Sequence, residues 1–390
     1  MLSLRKFIVE AKSEDKLKHL EHVEDHVIHG GAEGFSHAYH TLNGVHEHLS
    51  GRDNSTKITT KYDGSPSIVF GTHPETGKFF VGSKSVFNKK PKINYTPKDI
   101  EKNHGHAPGL VTKLKTALEH LPKVHDGKGV YQADIMHTPD DVKHEGHRVS
   151  HKTQLITYHH PANSEHAKKA VNSKIGVAIH TAYEGKKWSD MTVKQGHIPE
   201  LEHHDDVHQF PIHHETQHVP YTKAMQDEYT SHIKKAMDAY KKAPKGAYEH
   251  TQKHAEKLKV HINRAVRDNS APSAEGLKKH ITDHHAKEAT KRKTAAGQEA
   301  QINAGKRMVA SVDDGHVNAA IEVHKHLQNA KNVLTTAMDG HHSMGHEVDG
   351  APTSPEGYVV YHNNRPSKFV LRHEFSRMNF AAGDARKQSG

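Results

Sequence analysis

Lys61-Tyr62-Asp63-Gly64 brings an amine and a carboxylate together where the β-branched run Lys57-Ile58-Thr59-Thr60-Lys61 meets the turn Asp63-Gly64-Ser65-Pro66. A lysine at a strand end can act as a nucleophile once burial or a neighbouring cation makes its amine neutral. Glycine at the turn lets backbone come close to a ligand. Taken alone, K-x-D-G also reads as a hairpin turn with a nearby charge. Further pieces follow it in order: Ser83-Lys84-Ser85, then Tyr131-Gln132-Ala133-Asp134, then Glu356-Gly357-Tyr358-Val359-Val360. The last is Lys368 within Pro366-Ser367-Lys368-Phe369-Val370-Leu371-Arg372.

In that order the pieces resemble the covalent nucleotidyltransferase superfamily of ATP-dependent DNA ligases, RNA ligases and mRNA capping enzymes. The superfamily's motifs are K-x-D-G, a following S-R/K, an aromatic-x-G-E, an E-G-x-V and a closing K-x-K strand. Here they span 61–372, and the run looks most like ligase-like proteins of large tailed bacteriophages. The resemblance implies an α+β fold, an antiparallel-sheet ligase adenylation core with a large helical insertion. It also implies ATP as substrate and Mg²⁺ or Mn²⁺ as cofactor.

The implied roles follow the chemistry. Lys61 attacks the α-phosphorus of ATP and becomes lysyl-AMP. Thr60, Asp63 and Gly64 surround the bound nucleotide. Asp134 and Glu356 offer hard oxygen ligands to the metal or hold the ribose. Lys84, Lys368 and Arg372 neutralise phosphate charge, the last two from one face of a shared strand. The sequence departs from the pattern at Pro66, where the superfamily often has Arg, at Ala133-Asp134 in place of Gly-Glu, and at Val370 in place of the second lysine. The missing Arg leans toward RNA ligases. Only 22 residues follow Lys368, too few for the oligonucleotide-binding barrel of DNA ligases and capping enzymes.

Elements must position these residues. Short helices are expected at Val23 to His29 and Phe35 to Leu49, broken by Gly30-Gly31. Lys57 to Lys61, Ser67 to Phe70 and Lys78 to Gly82 read as an antiparallel meander. A helix over Gly109 to Leu121 shows Leu110, Leu114, Leu118 and Leu121 on one face. Strands follow at Gly129 to Met136, Gln154 to Tyr158 and Ile175 to Ala182. Residues 190–219 read as loop, and about 120 residues of helical pattern precede the strands Gly357 to Tyr361 and Lys368 to Leu371. The expected organisation is therefore an N-terminal helical segment (1–50), a first core part (51–190), a basic helical insertion (191–349), closing core strands (350–380) and a polar tail (381–390).

Composition sets the frame. The 390 residues hold 55 Lys+Arg against 46 Asp+Glu, a formal charge of +9, with 33% hydrophobic residues. Over 221–340 there are 21 Lys+Arg and 14 Asp+Glu, so the helical block is the expected nucleic-acid-binding surface. The absence of cysteine excludes disulfides, thiolate metal sites and cysteine nucleophiles. No signal peptide and no apolar run of membrane-spanning length is present, which points to the cytoplasm. There are 43 histidines. Their best local metal-ligating case is Glu200 to His218, with His203, His204, His208, His213, His214 and His218; His104-Gly105-His106 and His341-His342 are weaker. Dispersal along the whole chain favours a compositional habit over a dedicated site, and His137 and His180 read as packing or cleft-edge residues. Two rival functions remain: AMP or GMP transfer to another acceptor, and a non-enzymatic, basic, His-rich nucleic-acid-binding protein.

Overall fold

The computed structural model describes residues 20–52, 55–194, 201–211, 213, 220–340, 344–363 and 365–373. In chain order the elements begin with α1 (His26–Leu49), β1 (Lys57–Lys61), β2 (Ser67–Thr72), β3 (Phe79–Gly82), α2 (Pro97–His104) and α3 (Pro108–His120). Next come β4 (Val130–His137), β5 (Val142–Glu145), β6 (Arg148–Lys152), β7 (Thr157–Pro161), α4 (Glu165–Asn172), β8 (Ile175–Glu184), β9 (Thr192–Val193) and β10 (Val207–Gln209). The helices α5 (Lys223–Lys242), α6 (Ala247–Gln252), α7 (Ala255–Arg267), α8 (Ala274–Thr290), α9 (Ala295–Ala310) and α10 (Asp314–Asp339) follow. The chain closes with β11 (Gly345–Val348), β12 (Ala351–Pro352), β13 (Gly357–His362) and β14 (Arg365–Phe369). The fold is mixed α and β with antiparallel-rich sheets.

Two compact units divide the chain. The first takes its described residues from Thr59–His214 and His342–Glu356, the second from Glu21–Ile58, Glu215–His341 and Gly357–Gly390, apart from Leu20, which falls with the first.

The first unit is built on two sheets. One has the order β10-β8-β4-β2-β3 with β9 beside β8, and the other the order β12-β11-β7-β6-β5. Within them β10 runs parallel to β8 and the other ladders are antiparallel. Ile68, Val69 and Phe70 in β2 are all buried, because both faces of this sheet are covered. Ile68, Phe70 and Val81 pack with Ile100, Leu114, Ala117 and Leu121 on the helical side. Val69 and Phe80 pack with Val86, Tyr183 and Met191 on the other. A capping box starts α2: Thr96 Oγ1 accepts from the Asp99 amide, and the Asp99 carboxylate accepts from the Thr96 amide.

The second unit joins α1, the helices α5 to α10, β13, β14 and the first residues of β1 around one core. Val27, Leu42, Ile58, Leu258, Leu327, Leu334, Tyr358 and Phe369 belong to it. α1 bends at Gly31, whose φ of 56° sits in the region that favours glycine, where the sequence expects a break.

Several expectations need correction. β1 does not open a meander: it belongs to the sheet β1-β13-β14, while β2 pairs with β3 and β4. The helical block is not a free-standing insertion, since it shares one core with the N-terminal helix and the closing strands. Residues 190–219 are not loop throughout, because β10 pairs with Ile175 to Val177. The hairpin of β5 and β6 and the strand β11 were not expected. The polar tail 381–390 lies outside the described residues.

A buried charge cluster ties the second unit together. Arg372 donates to both carboxylate oxygens of Asp25 at 2.7 and 2.9 Å and to Asn263 Oδ1 at 3.0 Å. Lys331 donates to Glu24 at 2.9 Å and to the Val370 carbonyl at 2.7 Å. His324 Nε2 stands 2.8 Å from Asp25. Burial alone would lift the Asp25 carboxyl, but Arg372 and His324 hold it well below the usual carboxylate range. Removing one partner strands the other charge, so Arg372→Met should cost about 3–5 kcal/mol in urea unfolding.

The first unit has the opposite chemistry in its interior. Burial lowers His137 and His346 to about 4 and His160 to about 3. Free histidines titrate at about 6.5, so below that pH the unfolded chain binds protons that the folded chain refuses. Stability should therefore fall steadily from pH 6.5 toward pH 4. Thermal melts at pH 7.5, 5.5 and 4.5 test this, and a midpoint independent of pH would contradict it.

Candidate functional site

Lys61 is the last residue of β1, and the chain is fastened immediately after it. The Tyr62 hydroxyl donates to the Pro211 carbonyl at 2.7 Å. The Asp63 amide donates to the Tyr158 hydroxyl at 2.8 Å. One Asp63 carboxylate oxygen, Oδ2, accepts from the amides of Leu155 and Ile156 at 2.9 and 3.2 Å. Asp63 thus anchors the turn after the lysine to the β6–β7 connection. Gly64 comes next, and a Cβ there would stand 2.5 Å from the Cβ of Asp134. Only glycine admits this approach between the turn and β4. The turn then continues the β2–β4 ladder, with Ser65 donating to the Ile135 carbonyl and Ile135 to the Pro66 carbonyl.

The Lys61 ammonium donates to Glu356 Oε1. Their side chains are 27% and 11% exposed, so the pair is largely withdrawn from water. The other Glu356 oxygen, Oε2, is buried without a hydrogen-bond partner. Asp134 lies on β4 with Ser67 as its register partner, and His180 Nε2 on β8 stands 3.5 Å from Asp134 Oδ1.

Electrostatics couple these groups. Burial alone would depress the Lys61 amine, but Glu356, Asp134 and Asp63 raise it above its ordinary value. Burial lifts the Glu356 carboxyl, with Asp63 and Asp134 adding to the rise against the pull of Lys61. Burial would also lift Asp134, yet His180, Lys61 and Ser67 hold it below the usual range. The result is one cation beside three carboxylates, with Glu356 raised and Asp134 lowered.

The structure brings Lys61, Asp63, Gly64, Asp134 and Glu356 into one neighbourhood of the first unit, with Thr60 just before the lysine. Lys84 is exposed at the start of a 3₁₀ turn capped by Ser83. Lys368 and Arg372 belong to the second unit. Lys368 pairs with Val359 across β13 and β14. β14 ends at Phe369, so Lys368 and Arg372 do not share a strand face as expected. The Arg372 guanidinium is 2% exposed and committed to Asp25, which makes it a structural group with no capacity left for phosphate. Tyr158 and the amides of Leu155 and Ile156 had no signal in the sequence.

For a metal ion, the donor set suits a hard cation. Among the described residues, the carboxylates of Asp134 and Glu356 do not form a closed cage of three ligand atoms. Mg²⁺ needs none, because it is usually held by one or two carboxylates together with water and phosphate oxygens, and the unpartnered Glu356 Oε2 is such a donor. The group that does gather three donors is Glu24, Asp25 and His324. Lys331 and Arg372 already neutralise that group, so it repels a cation.

No described helix is long and apolar enough to cross a membrane. No curated protein and no solved structure matches the chain. One family model does match, over residues 16–383, and its description is a family of unknown function. That match covers nearly the whole sequence, and the chain therefore belongs to the DUF6267 family.

Proposed function

We propose that the protein is a covalent nucleotidyltransferase, an ATP-dependent polynucleotide ligase acting on RNA rather than DNA, with Lys61 as the residue that carries AMP. The observation that carries this reading is the pairing of the Lys61 amine with buried Glu356, beside Asp134 and the anchored Asp63. The order of the motifs along the chain supports it as well.

The chemistry starts with a proton. At neutral pH Lys61 is an ammonium, and it must lose that proton before attack. Glu356 already accepts the hydrogen bond, and burial raises its carboxyl, which narrows the gap across which the proton moves. The amine lone pair then forms a bond to the α-phosphorus of ATP. The bond from that phosphorus to the β-phosphate oxygen breaks, and pyrophosphate leaves with the electron pair. In the later steps a 5′-phosphate oxygen takes AMP from the lysine, and a 3′-hydroxyl displaces AMP to seal the strand. Asp134 and Glu356 would hold Mg²⁺ or Mn²⁺, which when bound neutralises charge on the phosphates. Asp63 acts by holding the turn, and its substitution should disturb the placement of Lys61.

The nucleic acid partner needs a cationic surface. In the second unit α8 and α9 form a hairpin whose tip, Lys291-Arg292-Lys293, is exposed. We assign phosphate contacts to this tip. Replacing all three by Ala should weaken binding of a labelled nicked RNA duplex by roughly tenfold or more at low salt and flatten its salt dependence. Binding that is unaltered would place the contact elsewhere.

The decisive experiment is incubation with α-phosphate-labelled ATP and Mg²⁺, denaturation, and detection of label on the chain. Wild type should be labelled and Lys61→Ala should not; an unlabelled wild type, or equal labelling of both, would overturn the mechanism. The labelling rate should climb about tenfold per pH unit until the amine titrates. Glu356→Gln removes the anion that raises Lys61, so its profile should move to lower pH while its maximum rate falls. Nicked RNA, nicked DNA and single-stranded ends then identify the acceptor.

A further inference from the structure

Five histidines of the first unit, from five different elements, close into a ring. They are His137 at the end of β4, His151 in β6, His160 in β7, His166 in the first turn of α4, and His208 in β10. Successive imidazole centroids stand 5.0 Å apart for His137 and His151, 5.5 Å for His151 and His160, and 5.6 Å for His160 and His166. The circuit closes at 5.5 Å from His166 to His208 and 5.4 Å from His208 to His137. Phe210 lies against it, stacked on His208 at 4.2 Å. His137, His151, His160 and His208 are each at most 1% exposed.

Backbone features make room for this ring. Gly176 on β8 is the register partner of His137 across one ladder and of His208 across the other. A Cβ at Gly176 would stand 2.3 Å from His137 Nε2, so any other residue would expel the imidazole. β4 also shifts register between Ile135 and His137, an irregularity of the kind that re-aims a side chain. Over the bare glycine, His137 Nε2 and His208 Nδ1 meet at 3.2 Å. The far side of His208 is occupied too, with Nε2 at 3.3 Å from His166 Nδ1.

A packing role alone does not account for these residues. His137 Nδ1, both nitrogens of His151 and His160 Nε2 are buried without a hydrogen-bond partner. Each such atom gives up its hydration without a replacement hydrogen bond, whereas leucine or phenylalanine would fill the space without that cost. Carboxylate charge near the ring is limited. His137 feels Asp141 and Lys113, which are paired with each other at 3.2 Å, and His166 feels Glu165 and Lys169, which are also paired. Burial keeps the imidazoles neutral at physiological pH, and the neutral ring is the ligand form.

We propose that His137, His151, His160 and His208 form a binding site for a divalent transition-metal ion of the zinc class, with His166 orienting His208 from behind. Two nitrogens on a tetrahedral ion at about 2.0–2.1 Å are roughly 3.3 Å apart, close to the separation of His137 and His208. A ligating histidine commonly donates its second N–H to a fixed acceptor, and His166 Nδ1 stands where that acceptor belongs. Imidazole donors without oxygen ligands select zinc, nickel or copper over magnesium and calcium. Among the described residues no three of these nitrogens yet converge within ligand range. Loading therefore requires a third ring to turn inward, and His151, its centroid 5.0 Å from that of His137 and neither nitrogen hydrogen-bonded, is the one assigned.

The full chain, purified without a polyhistidine tag and stripped with chelator, is titrated with Co²⁺ and Zn²⁺ against a competing chromophoric chelator. One tight equivalent is expected, with the visible absorption of four-coordinate Co²⁺. His137→Gln and His208→Gln should each weaken it at least about tenfold, while His204→Gln on the neighbouring segment leaves it unchanged. Weak binding spread over many histidines, or a tight equivalent indifferent to both variants, overturns the proposal. If a variant fails to fold, ¹⁵N imidazole spectra of wild type during Zn²⁺ titration decide. Shifts at the five rings support the site, and shifts confined to other histidines reject it. These readouts are independent of lysine labelling, so either reading can fail while the other stands.

Discussion

The Lys61–Glu356 pair sets a requirement that much of the first unit meets. Its partners lie 295 positions apart, one at the end of β1 and one on the segment that re-enters this unit after the long helical stretch. A carboxylate withdrawn from water is tolerable only beside a cation held in place, so the lysine cannot sit on a free strand end. Thr59 bridges to His213, Tyr62 is fastened to Pro211, and Asp63 takes the amides of Leu155 and Ile156. Each of these contacts limits where the Lys61 backbone can go. Gly64 then brings the turn against β4, which carries Asp134 into the same neighbourhood. A lysine with such fixed surroundings is what the proposed covalent step asks for, because the entropy of alignment is settled at folding.

Much of the local structure was legible. Apolar, β-branched runs such as Ser67-Ile68-Val69-Phe70 and Ile175 to Ala182 form strands, and the leucine spacing of Leu110 to Leu121 forms α3 with Leu114, Ala117 and Leu121 inside. What local pattern cannot carry is partnership. β1 looked like the first strand of a meander because it precedes β2, yet its sheet partners are β13 and β14. The same limit applies to the helical stretch, whose 3.6-residue periodicity is plain but whose shared core with α1 depends on contacts far apart in sequence. β6 was obscured for another reason, and β7 was expected early, at Gln154 to Tyr158. In Arg148-Val149-Ser150-His151-Lys152 and Thr157-Tyr158-His159-His160-Pro161 histidine holds several of the buried positions, so a reading that counts histidine as polar loses the alternation.

The site divides along the same line. Lys61, Asp63, Gly64, Asp134 and Glu356 could be named because residue type and order alone carry them, and all five meet. Lys368 and Arg372 were named on the same basis, but in the second unit Arg372 serves Asp25 and Glu24. A basic residue after a strand has two ways to be useful, on a phosphate or under a buried carboxylate. The deciding partner, Val23-Glu24-Asp25, is nearly 350 residues upstream. Tyr158 escaped notice because a tyrosine in a strand carries no signal that its hydroxyl accepts an amide two residues after Lys61.

Histidine enrichment takes on a different meaning once burial is known. A chain with 33% hydrophobic residues and no cysteine has few ways to build an interior that also binds a metal. Imidazole does both, since its ring stacks like an aromatic and its nitrogen lone pair ligates when neutral. Among the described residues the local run from Glu200 to His218 does not itself converge: His203 is exposed, His204 accepts from the Asp206 amide, and His208 turns inward to meet His137 and His166. His214 and His218 lie outside the described residues. Burial thus has opposite outcomes at the two sites. Around Lys61 it opposes the charged amine, but the neighbouring carboxylates outweigh it and keep the proton on. Around Gly176 it strips protons from the rings and leaves lone pairs with nothing to bind. Tyr158 touches both, stacked on His151 at 5.3 Å and bonded through its hydroxyl to Asp63. A ring drawn toward a metal would therefore move the face on which the anchor of the Lys61 turn rests.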